Sequence, residues 1–179
     1  MTAKQLYDIT IEIFGNRNEN DQAPTAALGV IKKQVGVYAA VQGKVIRVDQ
    51  FEQIHEALRS MWDVEEEQVV DSRELAQTAR KKSEWTGYHA EALVLSAMIS
   101  ANVWRRERNA VRAALAECGG AIITANATAC KHCGFLMDDL GIEYYGDKGA
   151  AGLTGWWNPI TDGRYPQASH EFASNIPGF

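Results

Sequence analysis

The sequence predicts a mixed α/β fold built as one domain, and three observations lead there. Val- and Ile-rich segments with strand-like alternation fill the first fifty residues, apolar residues recur at helical spacing from Phe51 onward, and an apolar run at 121–124 returns to strand character. With 179 residues, 46% hydrophobic and 23% charged, the chain is long enough to bury one core, and residues 1–179 are read as a single domain.

The elements follow in order. Ile9, Ile11 and Ile13 alternate with Thr10 and Glu12, a half-buried strand pattern closed by the turn-forming residues 15–20. Two further runs, 27–40 and 44–48, are rich in Val and Ile and separate near Gln42-Gly43, which predicts a hairpin. Residues 49–85 read as a helical insertion. Phe51, Ile54, His55, Leu58 and Met61 recur at helical spacing, Glu65, Glu66 and Glu67 form a solvated break, and Asp71 with Glu74 resembles a helix-start capping pair. The run 88–104 contains few breakers and reads as a helix that continues over 104–117 until Gly119-Gly120 ends it. Residues 121–124 form a short buried strand. Residues 142–145 form another, and the breaker-rich stretch 146–155 leaves no room for the helix that a parallel crossover needs, so an antiparallel hairpin into Trp156-Trp157 is expected.

Composition narrows the class. Three cysteines are an odd number, which argues against a disulfide framework and for a reducing compartment. The N-terminal residues lack a signal-peptide core, and no run approaches the ~20 apolar residues of a membrane span. The expectation is a soluble, cytoplasmic chain with no membrane partner. A net charge of -5 disfavours tight non-specific nucleic-acid binding and leaves room for local cations. Arg80, Lys81 and Lys82 are one such cluster. Arg105, Arg106, Arg108 and Arg112 are a second; it begins roughly 20 Å from His89 at 1.5 Å per residue, too far to hold a phosphate at that end, and is read as a solvated helix face.

The chemistry-bearing residues are His89-Ala90-Glu91 and Cys130-Lys131-His132-Cys133. One imidazole and two thiolates hold Zn²⁺ while leaving a fourth position for water, whereas a structural zinc normally closes with four protein ligands. Water bound there ionises near neutral pH and can attack an amidine-like carbon such as C4 of cytosine, with Glu91 moving protons without ligating the metal. Residues two apart on a helix sit about 200° apart around its axis, so His89 and Glu91 converge only if the ion lies off a helix N-terminus. Cys130 and Cys133 share a face at the start of a second helix, where the positive end favours thiolate. Other readings stay open here: a redox pair, half a zinc ribbon, or a closed structural site completed by His132 and Cys118.

The two motifs together resemble those of the cytidine deaminase-like superfamily, over residues 86–145. The resemblance implies a three-layer α/β/α fold with a mixed sheet, a zinc-dependent deaminase, His89, Cys130 and Cys133 as ligands, and Glu91 as acid/base. Ala129 stands where many members carry Pro, and in this the chain looks more like bacterial toxin-type deaminases than the housekeeping nucleoside enzymes. Antiparallel final strands resemble the nucleoside and toxin-type branches and not the tRNA adenosine or AID/APOBEC branches. The expected substrate is therefore cytosine in single-stranded nucleic acid, with free nucleosides, nucleotides or related metabolites as the alternative and a non-enzymatic zinc module as a third reading. By the superfamily pattern Asn126 and Thr128 touch the base. Trp156 and Trp157 are candidates for base stacking, although adjacent strand residues face opposite ways and at most one can serve. A toxin-type chain implies delivery within a larger secreted protein and an immunity protein as a partner.

Overall fold

The computed structural model describes residues 1–17, 24–34, 36–42, 46–59, 69–71, 89–146, 156–160 and 163–165. The first element is a helix, α1 (Ala3–Phe14), where the isoleucine alternation predicts a strand. Its start is fixed by a capping box: the Thr2 hydroxyl accepts from the Gln5 backbone N–H, and the Gln5 side chain accepts from the Thr2 N–H at 2.8 Å. Leu6, Ile9, Thr10 and Phe14 then fall on one buried face at helical spacing, which outweighs a three-residue alternation.

Strands β1 (Ala26–Ile31) and β2 (Val37–Val41) form an antiparallel hairpin whose closing pair is Val30 opposite Val37. The turn thus falls within 32–36 and not at Gln42-Gly43. Helix α2 (Val48–Arg59) follows as expected. Next comes strand β3 (Val69–Asp71), at the place where the Asp71–Glu74 pair suggests a helix start. The rest of the insertion, including Glu65 to Glu67, Glu74 and the Arg80, Lys81, Lys82 cluster, lies outside the described residues.

Helix α3 (Ala90–Ala101) is buried from Ala90 through Ile99. It stops at Asn102, whose amide donates to the Met98 carbonyl at 2.8 Å and the Tyr38 hydroxyl at 3.1 Å and accepts from Gln34 at 2.7 Å. Val103 turns the chain at φ 55, so the second half is a separate helix, α4 (Arg108–Glu117), and not a continuation. Gly119 and Gly120, at φ 77 and 97, end it in conformations that side chains resist. Strand β4 (Ala121–Ala125) and helix α5 (Lys131–Leu140) come next.

The main sheet has the order β3-β2-β1-β4, with β1 antiparallel to β2 and β4, and β3 parallel to β2. It is a mixed sheet with helices on both faces. Ala26, Leu28, Val30, Val37, Ala39, Val41 and Ile122 pack with α1 and α2. Ala27, Ile31, Tyr38, Ala40, Ala121, Ile123 and Ala125 pack with α3, α4 and α5. This strict alternation is the period of two that a sheet imposes. A buried pair, Thr10 and Thr124 with hydroxyls 2.8 Å apart, ties α1 to β4. Gly29 sets how closely α3 approaches: a Cβ there would lie 2.5 Å from Val94 Cγ1 and 2.6 Å from Met98 Cε.

The expected strand at 142–145 is reduced to one parallel bridge, Glu143 beside Ile122. Strand β5 (Trp156–Asn158) pairs antiparallel with β6 (Gly163–Tyr165) in a separate two-stranded sheet. A terminal hairpin is present, but its partner strand is 163–165 and not 142–145. Three of the second Arg cluster hold elements together, while Arg105 pairs at the surface with Glu107. Arg108 and Arg112 both pair with Asp139 across α4 and α5, and Arg106 bonds Ser96, Ser100 and the Pro159 carbonyl. No described helix is long and apolar enough to cross a membrane.

Candidate metal centre

His89 and Cys130 occupy equivalent positions, each the N-cap of a helix with extended backbone, at φ -70, ψ 148 and φ -66, ψ 161. His89 makes no capping bond with its side chain. Cys130 Sγ accepts from the Cys133 N–H at 3.4 Å, so the thiol sulfur caps α5 while Cys133 enters its first turn. Because β1 and β4 are paired and α3 lies on them, the two helix starts meet. His89 Nδ1 is 3.6 Å from Cys133 Sγ, and one donor atom from each of His89, Cys130 and Cys133 lies within 4.8 Å of the others. This cluster can hold a metal ion. His132 and Cys118 do not join it: His132 is buried, and Cys118 caps the end of α4, with its sulfur 3.9 Å from Gln34.

The electrostatics suit a cation. The Cys130 thiol is lowered to about 4 by its hydrogen bond with Cys133, against the effect of burial and with help from His89. Burial opposes charge on His89, yet the hydrogen bond and charge of Cys130, with Glu91, outweigh it and raise the imidazole above its usual value. Arg17 opposes that rise. Its backbone N–H bonds the Asn126 carbonyl at 2.9 Å, and its guanidinium bonds Thr25.

Glu91 sits in the first turn of α3, only 5% exposed. Burial raises its carboxyl above the ordinary range, His89 pulls against that rise, and Cys130 adds to it. Glu91 also lines a cavity of about 160 Å³, walled by Ile123 and Ala125 from β4, by Ala127, Thr128 and Ala129 from the following loop, and by Met137 of α5.

The sequence-derived substrate candidates divide. Thr128 is exposed and lines the cavity. Asn126 is 1% exposed and has its amide engaged with backbone: it accepts from Ala26 N–H at 2.8 Å and donates to the Gly15 and Pro24 carbonyls at 3.0 and 2.9 Å. It shapes the loop and does not present its amide to a ligand. Trp157 is buried in the core on the α3 side and is not part of the cavity wall. The Trp156 side chain lies outside the described residues.

Three aromatic residues that no sequence motif singles out line the cavity: Tyr7 from α1, and Tyr144 and Tyr145 from the segment after α5. The available signal is the Tyr144-Tyr145 pair at the end of the expected strand 142–145, which closes the chain segment that carries the metal motif. Comparison with protein-family models, curated proteins and solved structures finds no match to this chain.

Proposed function

We propose that the chain is a zinc-dependent hydrolytic deaminase that converts cytosine to uracil in nucleic acid, on a three-layer α/β/α fold of the cytidine deaminase-like kind. The observation that carries this reading is the meeting of His89, Cys130 and Cys133 at two helix starts, with Glu91 next to them in the wall of a cavity. The donor set fits zinc. With Zn–S near 2.3 Å and Zn–N near 2.0–2.1 Å, a tetrahedral ion separates sulfur and nitrogen by about 3.6 Å, which is the His89–Cys133 separation of 3.6 Å. Three protein donors are the catalytic pattern, since the fourth position stays open. When bound, zinc supplies Lewis acidity that lowers the pKa of a coordinated water to near 7.

The chain's own residues do the rest. The cavity wall excludes bulk water from a ring placed beside Glu91. The Glu91 carboxylate takes a proton from the attacking water and delivers it to the ring nitrogen N3. A C4–O bond forms, the exocyclic C4–N bond breaks, and the amine leaves as ammonia with a proton relayed through Glu91. One water is consumed and one carbonyl gained.

A second reading, deamination of free nucleosides or related metabolites, is favoured by the net charge of -5. The test is to incubate zinc-loaded protein with a panel of nucleosides and short oligonucleotides and to measure the amine-to-carbonyl mass change. Uracil formation in single-stranded oligonucleotides, at higher efficiency than from cytidine, is the expected result. Equal or better turnover of cytidine replaces the first reading with the second, and no turnover of any substrate refutes both.

A further inference from the structure

The cavity is small for a nucleotide. At about 160 Å³ it falls below the roughly 300–1,000 Å³ of pockets that enclose a whole ligand. A single ring fits, and whatever is attached to that ring remains at the mouth.

That mouth is aromatic. Tyr7 and Tyr145 both line the cavity, and the exposed Tyr145 marks its open side; their ring centroids are 5.0 Å apart and their planes tilted by 46°, within the range of favourable aromatic pairs. Tyr145 keeps 44% of its surface exposed, one of the few large hydrophobic side chains that do so among the described residues. Its ring is nonetheless held: Lys4 Nζ lies 5.8 Å from the centroid, at cation–π range, and Lys4 is itself fixed by Asp8 at 2.6 Å. An exposed aromatic side chain of a core-seeking type normally scatters singly over a surface. Here it is braced by a second aromatic ring and a cation at the edge of a one-ring cavity.

We propose that Tyr145, backed by Tyr7, is a stacking platform for the nucleotide next to the reacting base, which makes a single-stranded polynucleotide the substrate class. This inference rests on the deaminase reading above. Any aromatic face accepts any base, so the platform confers a need for a neighbouring base without a strong sequence preference. Because Asp8 shares the charge of Lys4, the platform contributes stacking and little phosphate attraction, and its contribution changes little with salt, unlike contacts to phosphate.

The experiment uses zinc-loaded protein carrying Glu91→Ala, so that binding is read without turnover. The probe is a short single-stranded DNA with one cytosine between two 2-aminopurines, whose fluorescence falls on stacking. Binding with quenching is expected. Adding Tyr145→Ala should weaken binding roughly 5- to 150-fold and remove the quenching, the loss of one base–aromatic stack, whereas Tyr145→Phe keeps both. Replacing the two flanking bases by abasic sites should cost the Tyr145-containing protein a similar factor and cost the Tyr145→Ala protein nothing. No binding, binding without quenching, or an equal loss from Tyr145→Ala on abasic and base-flanked probes overturns the platform. Turnover of cytosine by the protein with Glu91 intact, combined with any of those results, leaves the deaminase reading standing. Quenched binding without turnover of any substrate refutes the deaminase reading and keeps the platform as a binding site.

Discussion

Replacing Asn126 with alanine removes three hydrogen bonds that tie its loop to the end of α1 and to the start of β1. Its Oδ1 accepts from the Ala26 N–H at 2.8 Å at the start of β1, and its Nδ2 donates at 3.0 Å to Gly15 at the end of α1 and at 2.9 Å to Pro24. Leaving the Ala26 N–H buried without a partner costs about 1–3 kcal/mol, and each lost bond to a carbonyl about 0.5–1.5 kcal/mol. The carbonyls have second lone pairs and can recruit water, so a net loss of roughly 2–4 kcal/mol is expected. With urea m-values of about 1–3 kcal/mol/M, the unfolding midpoint drops by about 1–2 M at fixed zinc concentration. Asn126→Asp is a sharper probe. It keeps shape and the acceptor for Ala26, but turns the donor for Gly15 and Pro24 into a second acceptor. Facing carbonyls and burial favour the protonated carboxyl in the folded state. The penalty is therefore absent below the unfolded pKa of about 3.9 and grows as pH rises through the window above it. Unfolding free energies for both variants within about 0.5 kcal/mol of the parent, together with a raised KM, would refute this reasoning and make Asn126 a ligand contact.

The remaining predictions concern the metal, the proton and the core. Cys130→Ser should lower bound zinc from one per chain to near none by metal analysis, and unchanged zinc content would refute the ligand assignment. Glu91→Ala should keep fold and zinc and lose at least about 10²- to 10⁴-fold in turnover; loss of zinc along with activity would instead make Glu91 a ligand. Gly29→Ala places a Cβ 2.5 Å from the stiff Val94 side chain and 2.6 Å from the flexible tip of Met98. It should destabilise by about 1–3 kcal/mol in urea unfolding, with partial recovery when Val94→Ala is added.

What was legible in the sequence follows the range of the interactions involved. The ligand cluster was readable because each motif is local and sits where a helix begins: His89 caps α3 and Cys130 caps α5. Strand β4 and helix α2 were readable because their apolar patterns are unbroken. Helix α1 is masked in the sequence because Ile9, Ile11 and Ile13 mimic a strand over five residues, while the stronger signal, the Thr2–Gln5 capping box, lies upstream. The β1–β2 turn is hidden in the sequence because apolar residues flank it on both sides. The break after α3 contains neither Gly nor Pro and depends on Asn102 finding Tyr38 and Gln34, partners that come together only in the fold. The Tyr7–Tyr145 pair joins α1 to the segment after α5 and has no local signature at all.

The choice of one histidine and two cysteines also has a reason in the fold. Two helix N-termini directed at one point each contribute roughly half a positive charge, which disfavours a cation there. Two thiolates reverse that sign, and with a neutral imidazole they would balance the double charge of the zinc ion proposed for this mostly buried site. Among neutral donors alone, the same ion would sit between two positive helix ends with nothing to offset either. Glu91 then completes the balance from outside the ligand set. Glu91 is 5% exposed, and burial raises its carboxyl above the ordinary range; a dication held by His89, Cys130 and Cys133 would pull the other way, because the largest local charge in a site dominates its neighbours' protonation. In the proposed deaminase Glu91 would thus feel two opposed influences, an ion that favours its charged form and hydrophobic surroundings that favour its neutral form, the setting that proton transfer in both directions calls for.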